Sequence, residues 1–382
     1  MKKIAKNLRW WMWAVPSALL CLIGGATFFV LDATNALLNS ADGELNEVIL
    51  DPAAPGYEIY VSPTPSLLAL VEDETENLIS VALISLFSND IGGSLIVLPP
   101  ELVIEEDLTL EEIYSTEGAN GLQRALGAYV NVGFDVLSVL GNDFWTKHFS
   151  VIGDLSVRID DDLTTSEDGE LNVVFEAGEI SIPAEGIEEF LSWKNKGESP
   201  YNRWLRQQNF WIAWVKSAAS FSGDITTSNN EHPELMRMIS ALSQGELVLF
   251  QAELIEQQIP EFSFTTNTSI LQNAILEMIP FPIAAYEGAR AKVKILDGVG
   301  GLDLPNVYVP PLVASGAQIL LLGNAESFGV DRTQIIYHDK NFNDVVDDFS
   351  NALVGAELTY DPISETAIDV TVIIGKNSLE LE

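Results

Sequence analysis

Leu78-Ile79-Ser80-Val81-Ala82-Leu83-Ile84-Ser85-Leu86, then Ser88-Asn89-Asp90-Ile91-Gly92-Gly93, then Ser94-Leu95-Ile96-Val97-Leu98, is the stretch on which the fold turns. Two short runs rich in Ile, Val and Leu flank a polar, Gly-bearing break, the pattern of two core strands and a turn. Downstream, Leu122–Val130 has helical character, Val132–Leu140 is mixed, and Phe144–Val151 leads through Gly153 into a strand at Leu155–Ile159. Helical periodicity returns at Ala184–Trp193. It is clearest at Trp204–Ala219, where Leu205, Phe210, Ile212, Val215 and Ala218 mix with Trp211 and Trp214 in a largely buried helix. Glu234–Leu242, Glu246–Glu256 and Thr268–Met278 are further helical or mixed segments, closed by Ile279-Pro280-Phe281-Pro282. From Ala291 the texture changes. Strand, loop, helix, strand, strand, helix, strand (Ala291–Leu296, Gln318–Leu322, Thr333–Tyr337, Phe342–Leu353, Ile368–Ile374) is an α/β signature.

Upstream, residues 32–66 mix Asn, Ser, Asp, Gly and Pro and read as a tether with one strand at Tyr57–Val61. Before it, Trp10 to Leu31 is 22 residues without a charge, preceded by Lys2, Lys3, Lys6 and Arg9 and followed by Asp32. That length crosses a hydrocarbon core of about 30 Å as a helix, and the basic flank stays cytoplasmic. The expectation is a retained signal anchor over 10–31, with 1–9 cytoplasmic and everything beyond outside the cell. A cleaved signal peptide is the competing reading, but its apolar region is shorter, about 7–15 residues, and lacks the belt formed here by Trp10, Trp11 and Trp13. Cys21 follows the bulky Leu20, which argues against a lipidated cysteine.

The 382 residues are 47 % hydrophobic and 20 % charged, enough apolar material for a sizeable core. Acids number 56 against 19 bases, a formal net charge of −37, so phosphate backbones would be repelled unless a local basic patch intervened, and the expectation is no nucleic-acid partner. One cysteine rules out an intrachain disulfide framework, and three scattered histidines (His148, His232, His338) offer little to a metal. Asp160-Asp161-Asp162 lacks the alternation, glycine and distal Glu of a calcium loop and reads as a solvated turn. Asp297-Gly298-Val299-Gly300-Gly301 follows a strand but lacks the third glycine of a dinucleotide fingerprint at its spacing. Trp193, Trp204, Trp211 and Trp214 fit either a groove or, at this spacing, a packed core.

The order of motifs resembles the LytR-CpsA-Psr (LCP) family of envelope phosphotransferases followed by a LytR C-terminal domain, an arrangement associated with actinobacteria. Leu98-Pro99-Pro100-Glu101 is similar to the family's Ser-Ile-Pro-Arg-Asp. Ile152-Gly153-Asp154-Leu155-Ser156-Val157 is similar to its Leu-Gly-Gly-Val-x-Val. Ala177-Gly178-Glu179 through Gly186 to Lys194 follows its Ala-Gly-x-x-x-Leu-x-Gly pattern. Asn202-Arg203-Trp204-Leu205-Arg206-Gln207-Gln208-Asn209-Phe210 matches Arg-x-x-Arg-Gln-Gln-x-Phe closely. Val293-Lys294-Ile295-Leu296-Asp297-Gly298 and Val370-Thr371-Val372-Ile373-Ile374-Gly375 are similar to the strands that open and close the C-terminal domain. The resemblance implies an LCP-like α/β/α sandwich over 67–285 and a smaller α/β domain over 291–377.

The family carries a phosphoglycan from a polyprenyl-pyrophosphate carrier to peptidoglycan, with arginines and an aspartate-held Mg²⁺ neutralising the pyrophosphate. By resemblance Arg203, Arg206, Gln207 and Lys194 are the candidate phosphate-binding residues, and Glu101 is a weak candidate for the metal. Three family arginines are replaced by Pro100, Ser192 and Lys194, and Asn77 stands near the place of a metal-ligating aspartate. Losing one fixed cation from such a site can cost on the order of 10³-fold in rate. The expectation is therefore a non-catalytic envelope protein, a pseudoenzyme that binds a polyprenyl-phosphate lipid or cell-wall glycan or scaffolds an active LCP-family protein. The alternatives are an active, Mg²⁺-dependent phosphotransferase using Arg203, Arg206, Lys194 and Glu101, and a purely protein-binding module.

Overall fold

The computed structural model describes residues 49–381 apart from 106, 168–169, 222, 228–230, 258–261 and 363–366. The expected anchor at 10–31 and the tether up to residue 48 lie outside the described residues, among which no helix is long and apolar enough to cross a membrane.

The two strands expected from the opening stretch form at Leu78–Leu86 and Gly93–Leu98, paired antiparallel. They sit inside a five-stranded sheet ordered Leu247–Phe250, Gly93–Leu98, Leu78–Leu86, Ser66–Glu72, Val136–Leu140. The two outer pairings are parallel. Ser66–Glu72, whose short apolar run carries no strand signal of its own, lies inside the sheet between Leu78–Leu86 and Val136–Leu140. Its side chains alternate between two cores: Leu67, Ala69 and Val71 face one layer, and Leu68 and Leu70 face the other. Because both faces are covered, these strands read as continuous apolar runs rather than alternating ones.

One layer holds helices Asn142–Ile152, Ile187–Ser192, Pro200–Ser220 and Pro233–Ser243, and the other holds Leu110–Val130 and Thr268–Met278. The result is a mixed α/β sandwich. Helix starts follow side-chain caps. Thr109 and Glu112 form a reciprocal capping box before Leu110–Val130, and Ser199 accepts the Tyr201 N–H before Pro200–Ser220. Glu246–Glu256 resolves into two strands, Leu247–Phe250 and Leu254–Gln257.

A second, six-stranded sheet runs Glu58–Tyr60, Ala317–Asn324, Ala291–Asp297, Val370–Ile374, Gln334–Tyr337, Glu357–Tyr360. Helices Val309–Ala314 and Asn343–Ala352 pack with it around a core of Val293, Ile295, Leu312, Phe349 and Val372. The strand expected in the tether is Glu58–Tyr60. It lies antiparallel to Ala317–Asn324 as an edge of this sheet, with Lys294 paired to Glu58. Glu357–Tyr360, the other edge, was not anticipated.

Arg290 fastens the region between the two sheets. It is buried, and it donates from Nε to the Asn131 carbonyl at 2.6 Å and from Nη1 to the carbonyls of Val313 and Ala317 at 2.9 Å each. Asn131 and Val313 close the C-terminal ends of Leu110–Val130 and Val309–Ala314, where a cation is favoured. Burial pulls the guanidinium down to about 10, still charged at neutral pH.

Candidate functional site

The long helix Pro200–Ser220 carries the motif residues, and the sheet fixes its position. Trp204 Nε1 donates to the Val97 carbonyl at 2.7 Å, Gln207 Nε2 to the Ile79 carbonyl at 2.5 Å, and Trp211 Nε1 to Ser80 Oγ at 3.3 Å. These bonds pin the first half of the helix to the point where Gly93–Leu98 leaves the sheet as Pro99-Pro100-Glu101. The Glu101 carbonyl is held in turn by the Phe264 N–H at 2.9 Å. Trp204, Trp211 and Trp214 are fully buried, so of the two readings of the tryptophans these three belong to the core. Trp193 is half-buried; its Nε1 donates to Asn195 Oδ1 at 3.1 Å.

This placement brings Arg203 against Glu101. Its Nη2 is bonded to Glu101 Oε1, and Lys194 Nζ lies 3.9 Å from the same oxygen. The Arg203 side chain is 6 % exposed and that of Glu101 13 %, whereas Lys194 is 63 % exposed, so only the lysine is open to solvent. A buried pair of this kind is expensive to form and worse to break, because removing one partner strands the other charge. The exposed lysine adds little to stability.

Arg206 stands apart from this group. Nη1 binds Glu198 at 2.5 Å and Nη2 the Trp193 carbonyl at 2.6 Å, both in near-complete burial. It lines a cavity of about 50 Å³ with Asp160, Asp161, Asn202, Leu205 and Asn209. Gln207 spends its amide on the Ile79 and Leu191 carbonyls. The structure thus gathers Arg203, Lys194 and Glu101 and separates Arg206 and Gln207 from them. Glu198, 6 % exposed, was missed in the sequence. An acid just before a helix reads as solvated, and only its spacing to Arg206 hinted otherwise. Glu101 Oε2, Arg206 Nε, Gln207 Oε1 and Gln208 Nε2 are buried without a hydrogen-bond partner, an unusual concentration of unsatisfied polar atoms on one motif.

The corner where the resemblance places a metal aspartate holds Asn77. Asp73 Oδ1 accepts the N–H groups of Thr75 and Asn77 at 2.9 Å each, and Oδ2 accepts Asn77 Nδ2 at 3.0 Å. Burial pushes Asp73 up, but these bonds outweigh it and hold the carboxyl below its usual range. Burial pushes Glu188 nearby up, against a hydrogen bond from the Glu74 N–H and with the charges of Glu74 and Asp73 adding to the rise. Asp73 is consumed by its turn and Glu101 Oε1 faces two cations, which makes this donor set a poor fit for Mg²⁺. Among the described residues no group of three or more His, Cys, Asp or Glu side chains could hold a metal ion.

The glycine loop after Ala291–Asp297 is filled from within. Asp297 is buried, and its carboxylate accepts the N–H groups of Val299 and Gly300 at 2.7 Å each and of Leu302 at 2.9 Å. Amides that could have cradled a phosphate are therefore already satisfied by Asp297.

No protein-family model matches the chain, and no curated protein does. Solved structures to which it is similar include TagV of B. subtilis, at 13 % identity over 58 % of this chain and 98 % of that one with a TM-score of 0.44. B. subtilis TagT is similar at 11 % identity over 62 % and 95 %, TM-score 0.44, and a structure described as TagT bound to LIIa-WTA at 13 % over 63 % and 98 %, TM-score 0.45. These three are LCP-family structures. The chain is similar to them.

Proposed function

We propose that the chain is a membrane-anchored envelope protein that binds a polyprenyl-phosphate lipid or cell-wall glycan, or scaffolds an active LCP-family protein, and does not transfer the glycopolymer itself. One observation carries this reading: Glu101 sits on Arg203 and draws Lys194 to the same oxygen. The two cations that would neutralise a pyrophosphate are answered by an acid of the chain, and an incoming anion must displace a buried carboxylate to reach Arg203. The replacements at Pro100, Ser192 and Lys194 supply no further fork-shaped cation, since a lysine offers only a point charge.

The test is to extract the purified full chain for co-purified prenyl phosphate and to incubate it with geranylgeranyl pyrophosphate and Mg²⁺ or Mn²⁺. Retained lipid without phosphate release is expected. Metal-dependent release that disappears in Arg203→Ala would overturn the reading. One observation favours the rival, active phosphotransferase: Arg203, Lys194 and Glu101 do converge. Against it, Arg206, the fourth residue it needs, is committed to Glu198.

A further inference from the structure

The six-stranded sheet ends at Glu357–Tyr360, four residues that are all exposed and pair in parallel with Gln334–Tyr337 in unbroken register. The Glu357 N–H bonds to the Thr333 carbonyl at 2.8 Å and the Asp361 N–H to that of Tyr337 at 3.0 Å. Amide direction alternates along a strand, so the N–H and C=O groups of Leu358 and Tyr360 point outward, and among the described residues no strand lies beyond them. Sheet edges are ordinarily guarded by lysine, proline, a bulge or an inward charge. The four-residue strand itself carries no lysine, proline or bulge, Pro362 coming only past its end; Leu358 is 43 % and Tyr360 39 % exposed, and the one charge, Glu357, is 3.3 Å from Arg332.

The surroundings are acidic. Asp339 and Asp361 adjoin the ends of this strand pair, and Asp344, Asp347 and Asp348 are exposed on the helix Asn343–Ala352 that packs beside it. The nearby bases are engaged, Arg332 with Glu357 and Lys340 over the Tyr360 ring at 4.9 Å. The opposite edge shows what this sheet accepts: Glu58–Tyr60 arrives from a remote part of the chain, adds as a strand and is fastened by an acid–lysine pair.

We propose that the Glu357–Tyr360 edge is a docking site for an extended, basic segment of a partner protein, which adds to the sheet as a further strand. Main-chain hydrogen bonds to Leu358 and Tyr360 would supply the register, and the surrounding aspartates would select lysine or arginine. A second copy of this chain is disfavoured, since edge-to-edge pairing would oppose like charges. The proposal is independent of any lipid or glycan bound at the first sheet.

The experiment uses the full chain and fluorescein-labelled Lys-Thr-Lys-Val-Lys-Thr-Lys in fluorescence anisotropy at low salt. Binding is expected, with none by the counterpart carrying Glu for Lys. Two controls separate strand addition from simple attraction to a chain of net charge −37. The same peptide N-methylated at every internal amide keeps its charge but cannot donate to the outward carbonyls of Leu358 and Tyr360, and should bind at least about tenfold more weakly. Leu358→Pro removes one outward N–H and spares the inner ladder, and should weaken binding by about fivefold at unchanged Tm. Absence of binding, equal binding of the acidic or N-methylated peptide, or self-association that Leu358→Pro abolishes would each overturn the proposal. If Leu358→Pro unfolds the sheet, the N-methylated peptide decides alone.

Discussion

His148 makes a pH-dependent prediction that can be worked from geometry. It is fully buried on the helix Asn142–Ile152, stacked on Phe144 with ring centroids 5.6 Å apart, and its Nε2 accepts the Trp214 indole N–H at 2.8 Å. An imidazole that accepts at Nε2 must be neutral, and burial pushes it down to about 4 from an ordinary value of 6.5. Between about pH 6.5 and 4 the unfolded chain carries a proton at this residue that the folded chain does not, so stability falls as pH is lowered through that window. Each unit of difference is about 1.4 kcal/mol, which puts the full loss at about 3 kcal/mol and the loss by pH 5 at about 2 kcal/mol. The carboxylates titrate over part of the same range, so the measurement must be differential. Urea unfolding of the wild-type protein and His148→Gln, followed by circular dichroism at pH 7.5 and pH 5, isolates the residue, because the other groups are common to both. The variant keeps an acceptor for Trp214 but has nothing to protonate. Its deficit relative to wild type should shrink by about 2 kcal/mol between the two pH values. A pH-independent deficit would refute the assignment of a buried, neutral histidine.

Glu101→Gln should destabilise the protein by about 3–5 kcal/mol by stranding Arg203, while Glu101→Leu combined with Arg203→Met should recover most of that loss in the same unfolding assay. Arg290→Ala removes a donor from three carbonyls, of which Val313 keeps the Gly316 N–H, and should cost about 2–3 kcal/mol in thermal or urea unfolding, with Arg290→Lys only partly restoring it. Asp297→Ala bares three amides and should lower stability by about 2–3 kcal/mol, with Asp297→Asn intermediate because its single oxygen cannot serve all three.

Much of the layered fold was legible because burial imposes a period. Thr268–Met278 and Leu155–Ile159 form where the sequence placed them, and the long helix extends its expected range only at the ends. Ser66–Glu72 escaped because its apolar run is only five residues long and directly follows Pro63 and Pro65 at the end of the tether; tertiary pairing on both sides makes it central. Glu357–Tyr360 escaped for the opposite reason. It buries nothing, so no hydrophobic pattern betrays it, and only the ladder to Gln334–Tyr337 defines it. At the site, the residue types of Arg203 and Lys194 could be read from the motif, but their shared partner could not. Which acid answers which cation depends on how Pro99-Pro100-Glu101 exits the sheet, and that is set by packing far from the motif. Glu198 and Asp297 make the same point, since a carboxylate consumed internally looks in sequence like any solvated one.

The strand Glu58–Tyr60 bears on how the chain is made. Its pairing partner, Ala317–Asn324, leaves the ribosome only after every strand of the five-stranded sheet has been synthesised. The segment therefore has no strand partner until the second sheet itself is synthesised, and three strands of that sheet follow its partner in the chain. Chains that stop before residue 317 would carry Glu58–Tyr60 without its complementary strand.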